Sequence, residues 1–338
     1  MSATTTSTPV RRRTGIGWGD LAWLTWRQHR WAVVALGGLV VLGSAFSLVM
    51  ASFSGQADAD VPAFFREVIG FTATGRNMVI LSTVFGGLVA VFWAAPLLAH
   101  EYEQRTYVLA WGQDLSPTRW LAGKVVLLVV PAVALAAGLG AATTVLLRAV
   151  NAWVASTRAT QQVYLPFGPF GSDAFEAAPL MQAGYALFGF ALGLALSAVF
   201  RRTLVAMAVT LGVFTVVRLL MANVWRPRFW SPERFVEPFP QPLDELMTAE
   251  SALQDSLRVG SGFLDAAGNE VRLPICSGET EATYNQCLRE SGIVSYYVDH
   301  HPVDRLVPFQ LFEFALYGLL SAGLLVLAFG LVRRAYRL

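Results

Sequence analysis

The sequence predicts an all-α polytopic membrane protein with six transmembrane helices. Three observations lead there. Of 338 residues, 55% are hydrophobic and only 14% are charged, whereas a soluble domain is about a quarter charged. Six stretches contain no Asp, Glu, Lys or Arg: 31–57, 77–100, 125–147, 177–200, 203–217 and 314–332, with 27, 24, 23, 24, 15 and 19 residues. About 20 residues rising 1.5 Å each cross about 30 Å of hydrocarbon. Four runs do so with ease and 314–332 just suffices, while 203–217 needs Arg218 to snorkel outward. Finally, the basic residues flank these runs and do not gather on one face.

Taken in order, residues 1–15 are Ser/Thr-rich and contain Arg11-Arg12-Arg13. They read as a disordered tail with a basic triplet at an anionic leaflet. Residues 16–30 mix Trp23, Trp26, Arg27 and Arg30 over one short stretch, which suits an interfacial helix. The apolar run after it exceeds the roughly 7–15 residues of a cleaved signal core, so 31–53 is expected to remain as the first span. The second span is expected over 77–99, with Pro96 near its end, and a loop over 100–119. The third is expected over 120–147, where Pro131 is placed to kink it. The fourth covers 179–200, Arg201-Arg202 turns the chain, and the fifth covers 203–223. Residues 224–308 form a separate extramembrane domain, and the sixth span, 309–332, ends in a basic tail. The divisions are therefore 1–15, 16–223, 224–308 and 309–338. In the fourth span Gly189, Gly193 and Ser197 recur every fourth residue. Such a small-residue face permits close helix packing, within one subunit or at a dimer seam.

The charges set an orientation. One side of the proposed spans carries 13 Arg and Lys, whereas the short loops on the other side carry four: Arg66, Arg76, Arg148 and Arg158. Positive loops stay inside. Both termini are thus expected in the cytoplasm, in a multi-pass protein of the cytoplasmic (inner or plasma) membrane, with 224–308 extracytoplasmic. Residues 223–308 hold 13 acids and seven Arg, a net of −6, and both cysteines, Cys276 and Cys287. In an oxidising compartment these two predict a disulfide, worth about 3 kcal/mol for so small a loop. Trp225, Phe229, Trp230, Phe235 and Phe239, interleaved with prolines, read as an aromatic belt beneath a cap.

Several chemistries are missing. There is no G-x-x-x-x-G-K-[ST] run, because Gly123-Lys124 lacks both the upstream Gly and the following hydroxyl. There is no H-E-x-x-H and no zinc-type spacing. His300-His301, beside Asp299 and Asp304, reads as a polar turn. The chain is expected to be no enzyme, with no catalytic residues, metal or cofactor of its own, and no nucleic-acid partner at a net charge of +2. Arg218 near the end of the fifth span and Glu313 near the start of the sixth are candidates for an outer ion pair or gate. No acid sits near a span's middle, which weighs against ion-driven transport.

The loop after the second span is the most informative. Glu101, Tyr102, Glu103, Arg105, Thr106 and Leu109 put alternating charge and then apolar residues just outside the hydrocarbon. A short charged helix there, tied to two spans, is a lever. The pattern resembles the permeases of type-two ATP-binding-cassette (ABC) exporters, whose loop looks like E-x-E-x-G-T, then Leu positions, then P-x-x-R and a Lys at the start of span 3. Glu101, Glu103, Thr106, Leu109, Pro117, Arg119 and Lys124 match, with Arg105 standing where Gly is usual. The lead-in Trp23–Arg30 is similar to actinobacterial members. The resemblance implies a permease for a hydrophobic or amphiphilic drug-, antibiotic-, lipid- or peptide-like compound. It implies two copies of a P-loop ATPase carrying ATP and Mg, docked on a coupling helix within 100–112. It also implies a second permease copy or a related permease, and lipid around the pair. A non-transporting membrane sensor or scaffold acting through 224–308 is the other reading.

Overall fold

The computed structural model describes residues 17–54, 70–105, 116–157, 165–238, 253–272, 283, 286–287 and 290–337. Among them, six helices are long and apolar enough to cross a membrane: Thr25–Phe53, Phe71–Gln104, Pro117–Ala155, Pro179–Phe200, Thr203–Arg228 and Val303–Ala335. These are spans 1 to 6 below. Span 4 has its expected bounds, 179–200. The others extend past their runs, since long side chains at helix ends reach out of the hydrocarbon. The lead-in is not a separate interfacial helix. One helix runs unbroken from Trp18 to Ser54, with no proline to interrupt it. The proposed tail 1–15 lies outside the described residues.

Span 4 is the centre of the bundle, with 72% of its apolar window buried against 17–61% in the other spans. Its small residues make this possible. A Cβ at Gly193 would lie 2.5 Å from the Ala90 carbonyl oxygen, and one at Gly189 would lie 2.6 Å from that of Gly86. Spans 2 and 4 therefore meet backbone to backbone within one chain. Around the contact, Phe85, Trp93, Leu97 and Phe190 are buried. Val41, Leu42, Leu204, Leu319 and Val326 point outward and are more than half exposed, as lipid-facing positions should be.

Span 2 is not uniform. It runs as α-helix over Phe71–Leu88, widens to a π-helical turn over Val89–Ala94, and resumes at Pro96–Gln104. Proline lacks an N–H and crowds the preceding turn, and the chain answers by bonding Ala95 N–H to the Ala90 carbonyl, five residues back, at 2.9 Å. The first N–H groups of a new helix need acceptors. Ser197 Oγ of span 4 accepts those of Leu98 at 3.1 Å and Ala99 at 2.6 Å. The start of span 3 is capped locally: Ser116 Oγ accepts Arg119 N–H at 3.3 Å, and Pro117 takes the first helical position. Pro131 lies inside a helix that continues through it.

Between spans 5 and 6 the chain forms a sheet that the composition did not announce. Its strands are β1 (Glu233–Pro238), β2 (Leu257–Leu264), β3 (Glu270–Val271) and β4 (Ser295–His301), antiparallel in the order β1-β4-β2-β3. Arg234 lies opposite Asp299 and grips it as a fork, at 2.8 and 2.9 Å. That bond holds the Asp299 carboxyl below the usual carboxylate range. The sheet meets the loop between spans 3 and 4, where Leu165 N–H donates to Gln254 Oε1 at 3.4 Å. Asn151 fixes the same loop by bonding the carbonyl and the N–H of Phe167 at 2.8 and 3.2 Å.

Candidate functional site

At the end of the bundle where the first helix begins and the last one ends, three consecutive residues close span 2. Successive helical residues fan out by about 100°, so each reaches a different neighbour. Glu101 forms a salt bridge with Lys124 of span 3. Lys124 is only 2% exposed, and its ammonium lies 4.4 Å from the centre of the Trp120 ring. The Tyr102 ring lies 5.1 Å beneath the guanidinium of Arg201, in the turn from span 4 to span 5. Glu103 caps span 5, its carboxylate accepting Thr203 N–H at 3.0 Å and Thr203 Oγ–H at 2.6 Å. A carboxylate at a helix N-terminus also meets the positive end of the helix dipole.

The helix then ends on Arg105, at φ 55° and ψ 20°. This left-handed conformation costs a residue with a Cβ about 1 kcal/mol. It explains why glycine suits the position in the family that the loop resembles. Arg201 ends span 4 the same way, at φ 54°. Thr106 and Leu109 lie outside the described residues. The carboxylates expected to face a partner thus have partners within the chain, Glu103 as an exposed cap, and Arg105 is exposed as well.

At the sheet end, Arg218 and Glu313 belong to one buried cluster but not as a direct pair. Arg218 Nη2 donates to Glu176 Oε2 at 2.6 Å, and its guanidinium lies 3.2 Å from the centre of the Tyr185 ring. Glu313, fully buried, accepts Arg226 Nε at 2.7 Å, Arg226 Nη2 at 3.0 Å and Tyr185 Oη at 3.3 Å. Arg226 Nη2 also reaches Glu176 Oε1 at 3.5 Å. Two acids and two guanidiniums cancel, as buried charges must to be tolerated. Glu176 sits on the short helix Ser172–Ala177 before span 4, and Arg226 on the 3-10 turn Arg226–Arg228 that ends span 5. Both escaped the sequence reading, because their partners lie 42 to 87 residues away. Their one local signal is charge beside an apolar run.

Among the described residues no group of three His, Cys, Asp or Glu is placed to hold a metal ion. His301 is instead a strut. Nε2 lies 3.1 Å from the Pro227 carbonyl and Nδ1 lies 3.3 Å from Arg305 Nη1, while the ring packs 4.8 Å from that of Phe309. These partners call for a neutral ring with its proton on Nε2, and burial pushes its pKa below the ordinary 6.5. Phe229 and Trp230 of the expected belt pack on Phe309 and Phe312 of span 6. Cys276 lies outside the described residues, and so does Phe239.

A family model described as ABC-2 membrane transporter related matches residues 39–226. The match runs from within span 1 through span 5 and covers more than half of the chain. It includes both charged clusters except Glu313. No curated protein matches the sequence.

Proposed function

The chain belongs to the ABC-2 membrane transporter-related family, and from that premise we propose that it is the permease subunit of an ATP-driven exporter. Two copies of a separate P-loop ATPase, carrying ATP and Mg, dock on the 100–112 segment. A second permease copy or a related permease completes the pathway. The cargo is a hydrophobic or amphiphilic compound of drug, antibiotic, lipid or peptide type, moved out across the cytoplasmic membrane. Both termini are cytoplasmic and the sheet is extracytoplasmic, where Cys276 and Cys287 pair. This chain hydrolyses nothing itself.

One observation supports this reading above the rest: Glu101, Tyr102 and Glu103 tie the end of span 2 to spans 3, 4 and 5. A push on the 105–112 segment cannot stay in one helix. The ATPase acts by being a better partner for one arrangement of those helices than for the other. Glu101 and Glu103 then transmit the push, and Arg105 with the residues after it receives it.

The test is to purify the tagged protein from its native membranes in mild detergent, identify its stoichiometric companion and assay ATP hydrolysis. A P-loop ATPase that is lost when 105–112 is scrambled is the expected result. A preparation without ATPase, and without ATP hydrolysis on reconstitution with membrane extract, overturns the proposal.

A further inference from the structure

Span 5 ends in a turn that sends two arginines in opposite directions. They flank Pro227 on the 3-10 turn Arg226–Arg228. Arg226 is buried against the carboxylates of Glu313 and Glu176. Arg228 is exposed. Its Nη1 donates to the Val224 carbonyl at 2.7 Å, which fastens the guanidinium against the last turn of span 5. Among the described residues its Nε and Nη2 have no partner. One turn therefore carries a neutralised cation inward and an open cation outward.

The open cation lies in a cup. An open cavity of about 570 Å³ is lined by Arg228, Trp230, Ser231 and Pro232 after span 5 and by Val259 of β2. It sits where the apolar span gives way to the polar sheet, and Trp225 and Trp230 are both exposed there. Indole rings collect at the headgroup level of a bilayer. Trp230 also packs on Phe312 of span 6, with 5.5 Å between ring centres, and Phe312 is itself exposed. An apolar wall thus runs from the cup onto span 6. No acid lines the cup, so nothing in its wall repels an anion. A guanidinium matches phosphate oxygens with paired hydrogen bonds. A bare phosphate would gain only one exposed ion pair, which is worth little in water, and would leave the aromatic wall unused. A purely apolar molecule would leave the guanidinium unused. A phospholipid engages both.

We infer that this cup seats the headgroup of one glycerophospholipid from the leaflet on the sheet side. Its phosphodiester accepts from Arg228, and its chains run along Trp230 and Phe312. This lipid is a resident partner and not cargo, and it joins the end of span 5 to β2. The inference needs the membrane bundle but not the permease reading, so neither falls with the other.

Native mass spectrometry of the full chain in mild detergent reads the binding of the first lipid. Dioleoyl-phosphatidylglycerol is compared with dioleoylglycerol, which has the same chains and no phosphate, and is challenged with inorganic phosphate. The phospholipid should bind roughly tenfold to a hundredfold more tightly than dioleoylglycerol, the range of hydrogen bonding to a charged donor. Arg228→Gln should erase that preference. Val259→Trp should exclude the phospholipid by filling the cup, and it keeps the test decisive if Arg228→Gln does not fold. Arg27→Gln, at the start of span 1 and the opposite end of the bundle, should leave the preference intact, which separates a seat from general attraction to basic residues. Equal affinities for the two lipids overturn the inference. So does a preference that survives Arg228→Gln, one that survives Val259→Trp, or one that falls as far in Arg27→Gln. Competition by inorganic phosphate overturns it in favour of a soluble anion. A lipid held by the monomer and expelled on dimerisation overturns it in favour of a contact between two copies.

Discussion

Replacing Glu313 by glutamine probes the sheet-end cluster at its most buried member. The carboxylate accepts three hydrogen bonds, two from Arg226 and one from Tyr185. Glutamine keeps one acceptor but turns an amide NH2 toward a guanidinium, and it leaves the 3.5 Å contact to Glu176 as the charged partner of Arg226. Removing one partner of a buried ion pair costs about 3–5 kcal/mol, and the retained acceptor places this change near 3. At about 2.1 cal/mol/K per residue, 338 residues unfold with roughly 0.7 kcal/mol/K, so the midpoint should drop by about 4 °C. Tryptophan-fluorescence scans of the purified protein in one detergent, at one scan rate, read this directly. The double variant Glu313→Leu with Arg226→Met removes both charges together and should recover most of the loss. A drop under about 1 °C for the single variant, or a double variant as unstable as the sum of the singles, would refute the cluster as the source of cohesion.

Four further outcomes are expected. Ser197→Ala leaves the N–H groups of Leu98 and Ala99 without their acceptor and should destabilise by about 1–3 kcal/mol, seen as faster hydrogen exchange at both amides. Arg105→Gly removes the left-handed strain and should slow exchange over 101–104 about fivefold, the equivalent of about 1 kcal/mol; no change would show that the helix end is not limited by this turn. Gly193→Ala drives a Cβ onto the Ala90 carbonyl and should lower the thermal midpoint through separation of spans 2 and 4. His301 is held neutral, with a folded pKa below its ordinary 6.5. The unfolded state then binds the extra proton first, so this contribution is intact above pH 6.5 and is lost as pH falls toward the folded value. Proteolysis of the sheet should accelerate on acidification below 6.5, and His301→Gln should flatten that dependence.

Much of the bundle is legible from residues alone. Span 4 is bounded by Pro179 and by Arg201-Arg202, and the structure ends it at both. Arg105 standing where the resembled family has Gly leaves the turn geometry open, and the structure makes it left-handed. The sheet is a different case. In 224–308 the strand sequences ERFVEP and SYYVDHH are short and rich in polar residues, and their pairing, not their composition, makes them strands. The cluster partners are equally hidden, since an ion pair between Arg226 and Glu313 has no local sequence signature. Glu101 and Glu103 show the opposite limit. Their spacing marks them as important, but only the packing shows that one ties span 3 and the other caps span 5.

The separation of Arg226 from Glu313 also bears on how the chain is made. Arg226 leaves the ribosome 87 residues before its carboxylate partner. At about 5–20 residues per second, the gap lasts roughly 4 to 17 s. During that interval Glu176 is the one carboxylate of the sheet-end cluster available to Arg218 and Arg226. In the proposed orientation the sheet segment also crosses the membrane before Glu313 arrives. That orientation gives biogenesis a fixed order: the last span closes the bundle only after the sheet segment has been moved out of its way.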